Sequence, residues 1–223
     1  MCGRFTLNTI AQDLAQQFNV DVDQSLPPRY NIAPSQSILT IKAETQGRSL
    51  ERMKWGLVPS WVKDLDNYSH NLINARAETV AEKPSFRAAF KHRPCLIPVS
   101  GFYEWTREKQ PYYFQLKESQ LFALAGLWES WSPKGLASRH NGKDELVSCT
   151  ILTTKANIEA AKVHHRMPVI IRPQDYDSWL GELAERKKLL TALPEVDLNL
   201  YPVSKMVNSP KNDVAECIQP ISA

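Results

Sequence analysis

The sequence predicts an α+β fold: a mainly antiparallel sheet curled into a barrel-like core, with helices on its outside. Three observations carry this prediction. Short runs rich in Val, Ile, Tyr, Phe and Trp recur along the chain, helical patterns are few and short, and fifteen prolines punctuate the apolar runs. Several runs are joined by connections too short for a crossover helix, so neighbouring strands pair antiparallel. At 223 residues, 43% hydrophobic and 23% charged, the chain is long enough to bury a full core. It has no internal repeat and no Gly/Ser tract, so one domain over residues 1–223 is expected.

Taken in order, residues 9–18 form the first element, an amphipathic helix. Ile10, Leu14 and Phe18 fall on one face, and Thr9 with Gln12 reads as a capping box. Strands follow at 36–43 and 50–58, then at 94–99, 101–106, 110–117, 121–129, 146–153, 168–172 and 199–204. Shorter helices fit 84–92, where Phe86 and Phe90 share a face, 155–162, 173–181 behind Pro173, and 184–193. Pro133, Gly135 and Asn141-Gly142 make 131–145 a surface loop.

Charge and cysteine usage exclude several functions. Twenty-seven basic against twenty-four acidic residues leave a formal net charge of +3, too little alone to indicate a nucleic-acid partner. No apolar run approaches the ~20 residues that span a bilayer, and the N-terminus lacks a signal-peptide core. A cytoplasmic protein is expected, nucleoid-associated in a bacterium or nuclear in a eukaryote. Cys2, Cys95, Cys149 and Cys217 form no CxxC pair, and the histidines show no ligand spacing, so neither a metal nor a disulfide framework is expected. Cys95, Cys149 and Cys217 lie in apolar runs and read as inert core residues.

Four segments carry chemistry. Removal of Met1 ahead of Cys2 leaves an α-amine and a thiol on adjacent carbons, with pKa values near ~8 and ~8.5. Such a pair condenses with an aldehyde, the amine giving an imine and the thiol closing a five-membered thiazolidine ring. In Asn71–Thr79, the side chains of Asn74 and Arg76 alternate with Ala and point together from an extended segment, as an amide and a guanidinium suited to sugar and phosphate. Pairing of Arg76 with Glu78 is the bland alternative. In Ser100–Trp105, aromatics surround Glu104; burial among them would raise its pKa toward neutrality, whereas strand alternation equally allows it to face solvent. In Val163–Pro168, His164 and His165 face different directions, so at most one serves in proton transfer, beside Arg166 as a phosphate contact.

Read in order, MCGRF at the start, RYNIAPSQ at 29–36, WGLVPSW at 55–61, INARAET at 73–79, GFYEW at 101–105, HHRMPVI at 164–170 and PVSKMVN at 202–208 resemble the SRAP family (SOS response-associated peptidases, abasic-site processing proteins). The resemblance spans nearly the whole chain and implies a covalent sensor of abasic sites in single-stranded DNA, including single-strand/double-strand junctions. In that reading Cys2 is the nucleophile, Asn74 holds the reacting amine and sugar, Glu104 is general acid/base, and His164 moves protons at the sugar. Arg4, Arg76 and Arg166 contact phosphates, and Asn31, Pro34, Trp61 and Thr153 complete the strand surface, Trp61 as wedge or stacking platform. Peptidase activity toward Met1, a lyase activity, no cofactor and a monomer are also implied. Two rival readings stand beside it: an N-terminal-nucleophile hydrolase resembling glutamine amidotransferases, and a non-catalytic single-stranded DNA-binding module.

Overall fold

A computed structural model describes residues 2–117, 119–133, 145–191 and 198–221. The chain runs β1 (Phe5–Leu7), α1 (Ala11–Phe18), β2 (Arg29–Ile32), β3 (Ser37–Ala43), β4 (Arg48–Trp55), β5 (Asn74–Arg76), α2 (Arg87–His92), β6 (Pro94–Val99) and β7 (Gly101–Trp105). It continues through β8 (Pro111–Leu116), β9 (Phe122–Trp131), β10 (Leu146–Lys155), α3 (Ile158–Ala161), β11 (Arg166–Pro168) and β12 (Ile170–Ile171). After α4 (Tyr176–Leu180), α5 (Leu183–Lys188) and β13 (Leu198–Pro202), a tail carries 3-10 turns at Lys205–Asn208 and Ala215–Ile218.

The strands form two sheets. One has the order β13-β8-β7-β1-β2 and is antiparallel throughout. In the other, β4, β3, β6, β9 and β10 follow one another and β10 pairs back onto β4, closing a ring, with β11, β12 and β5 attached. This is a ring of strands rather than a strict barrel, and it is mixed, because β10 runs parallel to both β4 and β5. The α+β class with few helices is as the sequence predicts. Strand alternation then sorts the side chains of β7. Phe102 stacks on Phe114 within the main core, while Tyr103 meets Tyr113, which in turn meets Tyr201, in a cluster with Val203, Val207 and Cys217 of the tail. Glu104 shares the period-2 face of Phe102 and is carried inward, only 3% exposed.

Several expected elements are shorter or divided. The first helix begins after Ile10, which is its N-cap and is exposed; no side chain caps it, so the Thr9/Gln12 box does not form. Leu14 and Phe18 are buried as expected. The apolar run at 168–172 becomes β11 and β12, which pair with different strands, β10 and β9. Pro173 opens a 3-10 turn that leads into α4. Residues 134–144 of the expected loop and the end of the expected helix at 184–193 lie outside the described residues. Gly56 has φ +130, and a Cβ there would lie 2.5 Å from Asn71 Oδ1, so only Gly lets β4 turn off at this point into the segment carrying Trp61.

One buried cation holds the helical side together. Arg186 of α5 donates from Nε to Trp179 O at 2.7 Å and from its terminal nitrogens to Phe90 O and Gly181 O, tying the C-terminal ends of α2 and α4. It has no carboxylate partner among the described residues, and burial lowers its pKa to about 10. Its counter-charge is the negative end of two helices, whose last carbonyls otherwise lack donors. Arg186→Met is expected to lower stability by about 3 kcal/mol, since it strands buried acceptors that no longer see water. Urea unfolding monitored by tryptophan fluorescence checks this, and a midpoint equal to wild type refutes it.

Candidate active site

The N-terminal segment, β5, the end of β7 and the turn between α3 and β11 converge. Cys2 is fully buried, and its backbone carbonyl accepts a hydrogen bond from Asn74 Nδ2 at 2.9 Å. Asn74 holds that position because β5 is pinned parallel to β10, with Asn74 opposite Ile151 and Arg76 opposite Thr153. Its other side-chain atom, Oδ1, is buried without a hydrogen-bond partner among the described residues. A buried acceptor left open in this way costs free energy unless a donor arrives.

Glu104 and His164 face each other, with Nδ1 3.9 Å from Oε2. Burial pushes the Glu104 carboxyl up to about 7. Burial also lowers the pKa of His164, favouring the neutral ring. The backbone N–H and C=O of Arg166 both lie 3.1 Å from His164 Nδ1. The neutral ring therefore accepts from the amide, and the protonated ring donates to the carbonyl, so both states have a partner. The Cys2 thiol is raised well above the ordinary range, first by burial and then by the Glu104 carboxylate. Its Sγ points toward Arg4 O at 4.0 Å. At neutral pH the thiol is thus protonated, and it needs a nearby base before it can attack.

A cleft of about 830 Å³ opens beside this group, lined by Glu104, Trp105, Arg107, Lys162, His164 and His165 among others. The two imidazoles were expected to diverge. Their ring centroids instead lie 4.4 Å apart at an interplanar angle of 33°, because the turn leaving α3 folds both toward the cleft. His164 is half-buried and His165 exposed.

Arg166 joins the group from β11. Its guanidinium grips Glu78 through both terminal nitrogens, with Nη2 2.9 Å from Oε2, and donates to Thr153 O at 2.7 Å. The sequence left open a pairing of Arg76 with Glu78 as the alternative to a phosphate contact. The register of β10 against β11 brings Arg166 there instead, and the Arg76 side chain is exposed. Thr153 is buried and presents its carbonyl to Arg166.

Arg4 and Asn31 form a separate group against the tail. Arg4 donates to Asn31 Oδ1 and Val207 O, both at 2.6 Å, and lies over Trp105 with its guanidinium carbon 5.9 Å from the ring centroid. Asn31 is fully buried; its amide nitrogen is within 3.1 Å of Val207 O, Ser209 O and Asn212 O. Its side chain is therefore committed to the polypeptide. Asp213 completes the clasp by accepting from the backbone N–H groups of Tyr30 and Asn31 and from Arg29. Neither Asp213 nor the role of Trp105 was legible in the sequence, because their partners lie in segments remote along the chain.

Pro34 is half-buried before Ser35, whose φ of 69 reverses the chain into β3. Trp61 is 55% exposed, on a segment anchored from below by Trp131 Nε1, which donates to Val62 O at 2.7 Å. Among the described residues no group of three or more His, Cys, Asp or Glu is placed to hold a metal ion, and no helix is long and apolar enough to cross a membrane.

Comparison with known proteins identifies the family. A family model described as SOS response associated peptidase (SRAP) matches residues 1–210. The chain is 43% identical to the abasic site processing protein YoqW of Bacillus subtilis (strain 168), covering 98% of this chain and 99% of that protein. It is 32% identical to the abasic site processing protein HMCES of Xenopus tropicalis, covering 87% of this chain and 66% of that one. A crystal structure of a protein from Bacteroides thetaiotaomicron superposes with a TM-score of 0.86 at 26% identity, over 99% of this chain and all of that one. With a family model spanning almost its whole length and relatives above 40% identity, the chain belongs to the SOS response associated peptidase (SRAP) family.

Proposed function

We propose that this protein processes abasic sites in single-stranded DNA by capturing the sugar aldehyde on its N-terminal Cys2. The names of its relatives support abasic-site processing. The observation that carries the covalent step is the placement of Asn74: one end of its amide fixes the Cys2 carbonyl while the other is a buried acceptor left open.

Hydrolysis of the Met1–Cys2 bond, with Glu104 supplying the proton to the departing amine, frees the α-amine. Asn74 Oδ1 then accepts from that amine and orients its lone pair. The closed sugar is a hemiacetal. Protonated Glu104 donates to the ring oxygen as a base takes the C1 hydroxyl proton, and the aldehyde opens. The amine adds to C1, and loss of the former carbonyl oxygen as water, again with proton transfer from Glu104 or His164, gives an iminium ion. The Cys2 thiol next adds to C1 and passes its proton to neutral His164. The product is a thiazolidine with new N–C1 and S–C1 bonds, one water having been released.

The raised thiol pKa sets this order, amine first and thiol second, because the buried thiol is a poor nucleophile until the iminium draws it. Arg76 and Arg166 grip phosphates flanking the abasic sugar, with Thr153 supporting Arg166 and Arg4 contributing from its anchorage on Asn31. Pro34 and Trp61 border the strand, Trp61 offering an exposed face to a neighbouring base. No base is read, so a modest net charge is sufficient. Incubation with an oligonucleotide containing one abasic site is expected to raise the protein mass by that of the oligonucleotide less one water, with the addition mapping to the peptide that begins at Cys2. Intact mass spectrometry reads this, and an unmodified first peptide after prolonged incubation removes the proposal.

A further inference from the structure

We propose that Glu78 is a built-in stand-in for a DNA phosphate, occupying Arg166 in the DNA-free protein so that strand entry exchanges one anion for another. This deepens the reading above and rests on it. The geometry carries the inference. A guanidinium held by two parallel hydrogen bonds from one carboxylate presents the same fork that it presents to phosphate. The Arg166 side chain is 12% exposed and the Glu78 side chain 48% exposed, so the carboxylate covers the guanidinium from the solvent side. Arg166 does not need Glu78 to keep its place. It is held from within by Thr153 O, and its backbone is paired with Lys155 in β10. Among the described residues Glu78 has no other side-chain hydrogen-bond partner, and beyond Arg166 its carboxylate meets its own backbone N–H and the charge of Arg76, so a strand carrying many phosphates competes for Arg166 against one carboxylate. Its departure would leave Arg166 and the exposed Arg76 as two cations on one edge of the site.

The test measures non-covalent binding of an intact single-stranded oligonucleotide, with every base present, by fluorescence anisotropy across a salt series. Glu78→Gln keeps the shape and removes the charge. It is expected to bind about 5-fold more tightly, as loss of one partly exposed competing ion pair implies. Its log affinity is expected to fall with log salt at nearly the wild-type slope, because Arg166 meets one phosphate in both forms and only the competing carboxylate charge is gone. Glu82→Gln, an exposed carboxylate nearby in sequence, controls for simple loss of negative charge, and its gain is expected to be much smaller. In an Arg166→Gln background the Glu78→Gln gain is expected to vanish, since the two residues act as one unit. Weaker or unchanged binding by Glu78→Gln overturns the proposal and makes Glu78 a positioning residue for Arg166. A gain matched by Glu82→Gln, or one that survives loss of Arg166, overturns it too. Glu78→Ala serves as the second variant if circular dichroism shows Glu78→Gln misfolded. Absence of binding by every form, wild type included, sinks the DNA reading itself and this proposal with it.

Discussion

Cys2→Ala is expected to eliminate the denaturant-stable adduct with abasic single-stranded DNA, a loss of at least ~100-fold in yield, because ring closure by a thiol on the adjacent carbon acts at an effective concentration no solution thiol matches. Alanine leaves the α-amine in place once Met1 is removed, so an imine still forms, but it hydrolyses when the protein is denatured. Borohydride present during the incubation reduces that imine and is expected to recover a product from Cys2→Ala. Two quantities therefore separate the roles of the two nucleophiles: stable adduct without reductant reports the sulfur, and trapped adduct reports the amine. Undiminished stable adduct from Cys2→Ala would falsify the thiazolidine. Buried Cys2 packs in the main core, so the change also removes some contact area. A thermal midpoint within a few degrees of wild type shows that the loss is chemical.

Glu104→Gln has the second largest expected effect, a fall of about 10²-fold in the rate of adduct formation, within the range typical of general acid–base groups. The pH profile distinguishes chemistry from structure. With its pKa at about 7 in the folded protein, Glu104 is a proton donor below neutrality, and its protonated fraction falls tenfold per pH unit above it. The α-amine titrates near ~8 and becomes nucleophilic as pH rises. Wild type is therefore expected to show a bell, and Glu104→Gln only the rising limb. The stability consequence has the opposite sign. A carboxyl whose pKa is raised on folding favours the native state at low pH, and that contribution is lost as pH rises from about 4.5 to about 7. At pH 8 the wild type buries a charge that Gln does not carry, so the variant is expected to be at least as heat-stable there while remaining slow. Retention of the alkaline limb in the variant assigns the titration to another group.

The burial of Glu104 shows how far a sequence extends and where it stops. Aromatic neighbours at Phe102, Tyr103 and Trp105 suggest an apolar setting, yet alternation equally allows the carboxyl to face water. The choice is made by the tail, which covers the Tyr103 face and leaves the Phe102 face, with Glu104, to the core. Glu78 is a second case. Proximity in sequence favours Arg76 as its partner, whereas a strand two elements away supplies Arg166. The histidine pair is a third, since the direction of two adjacent side chains depends on how the turn after α3 closes, and no local pattern encodes that closure.

Local physics alone determined the class of fold and the chemistry on offer: β-branched and aromatic runs specify strands, and an amine beside a thiol specifies reaction with aldehydes. Ordered motifs along the whole chain also named the residues that deserved scrutiny. Tertiary structure decided which of them meet. The parallel pairing of β10 with β5 brings Asn74 to Cys2, and the clasp of the tail by Asn31 and Asp213 fixes Arg4. Those contacts join residues separated by dozens to two hundred positions, and their geometry follows from packing of the whole chain, which no short stretch of sequence contains.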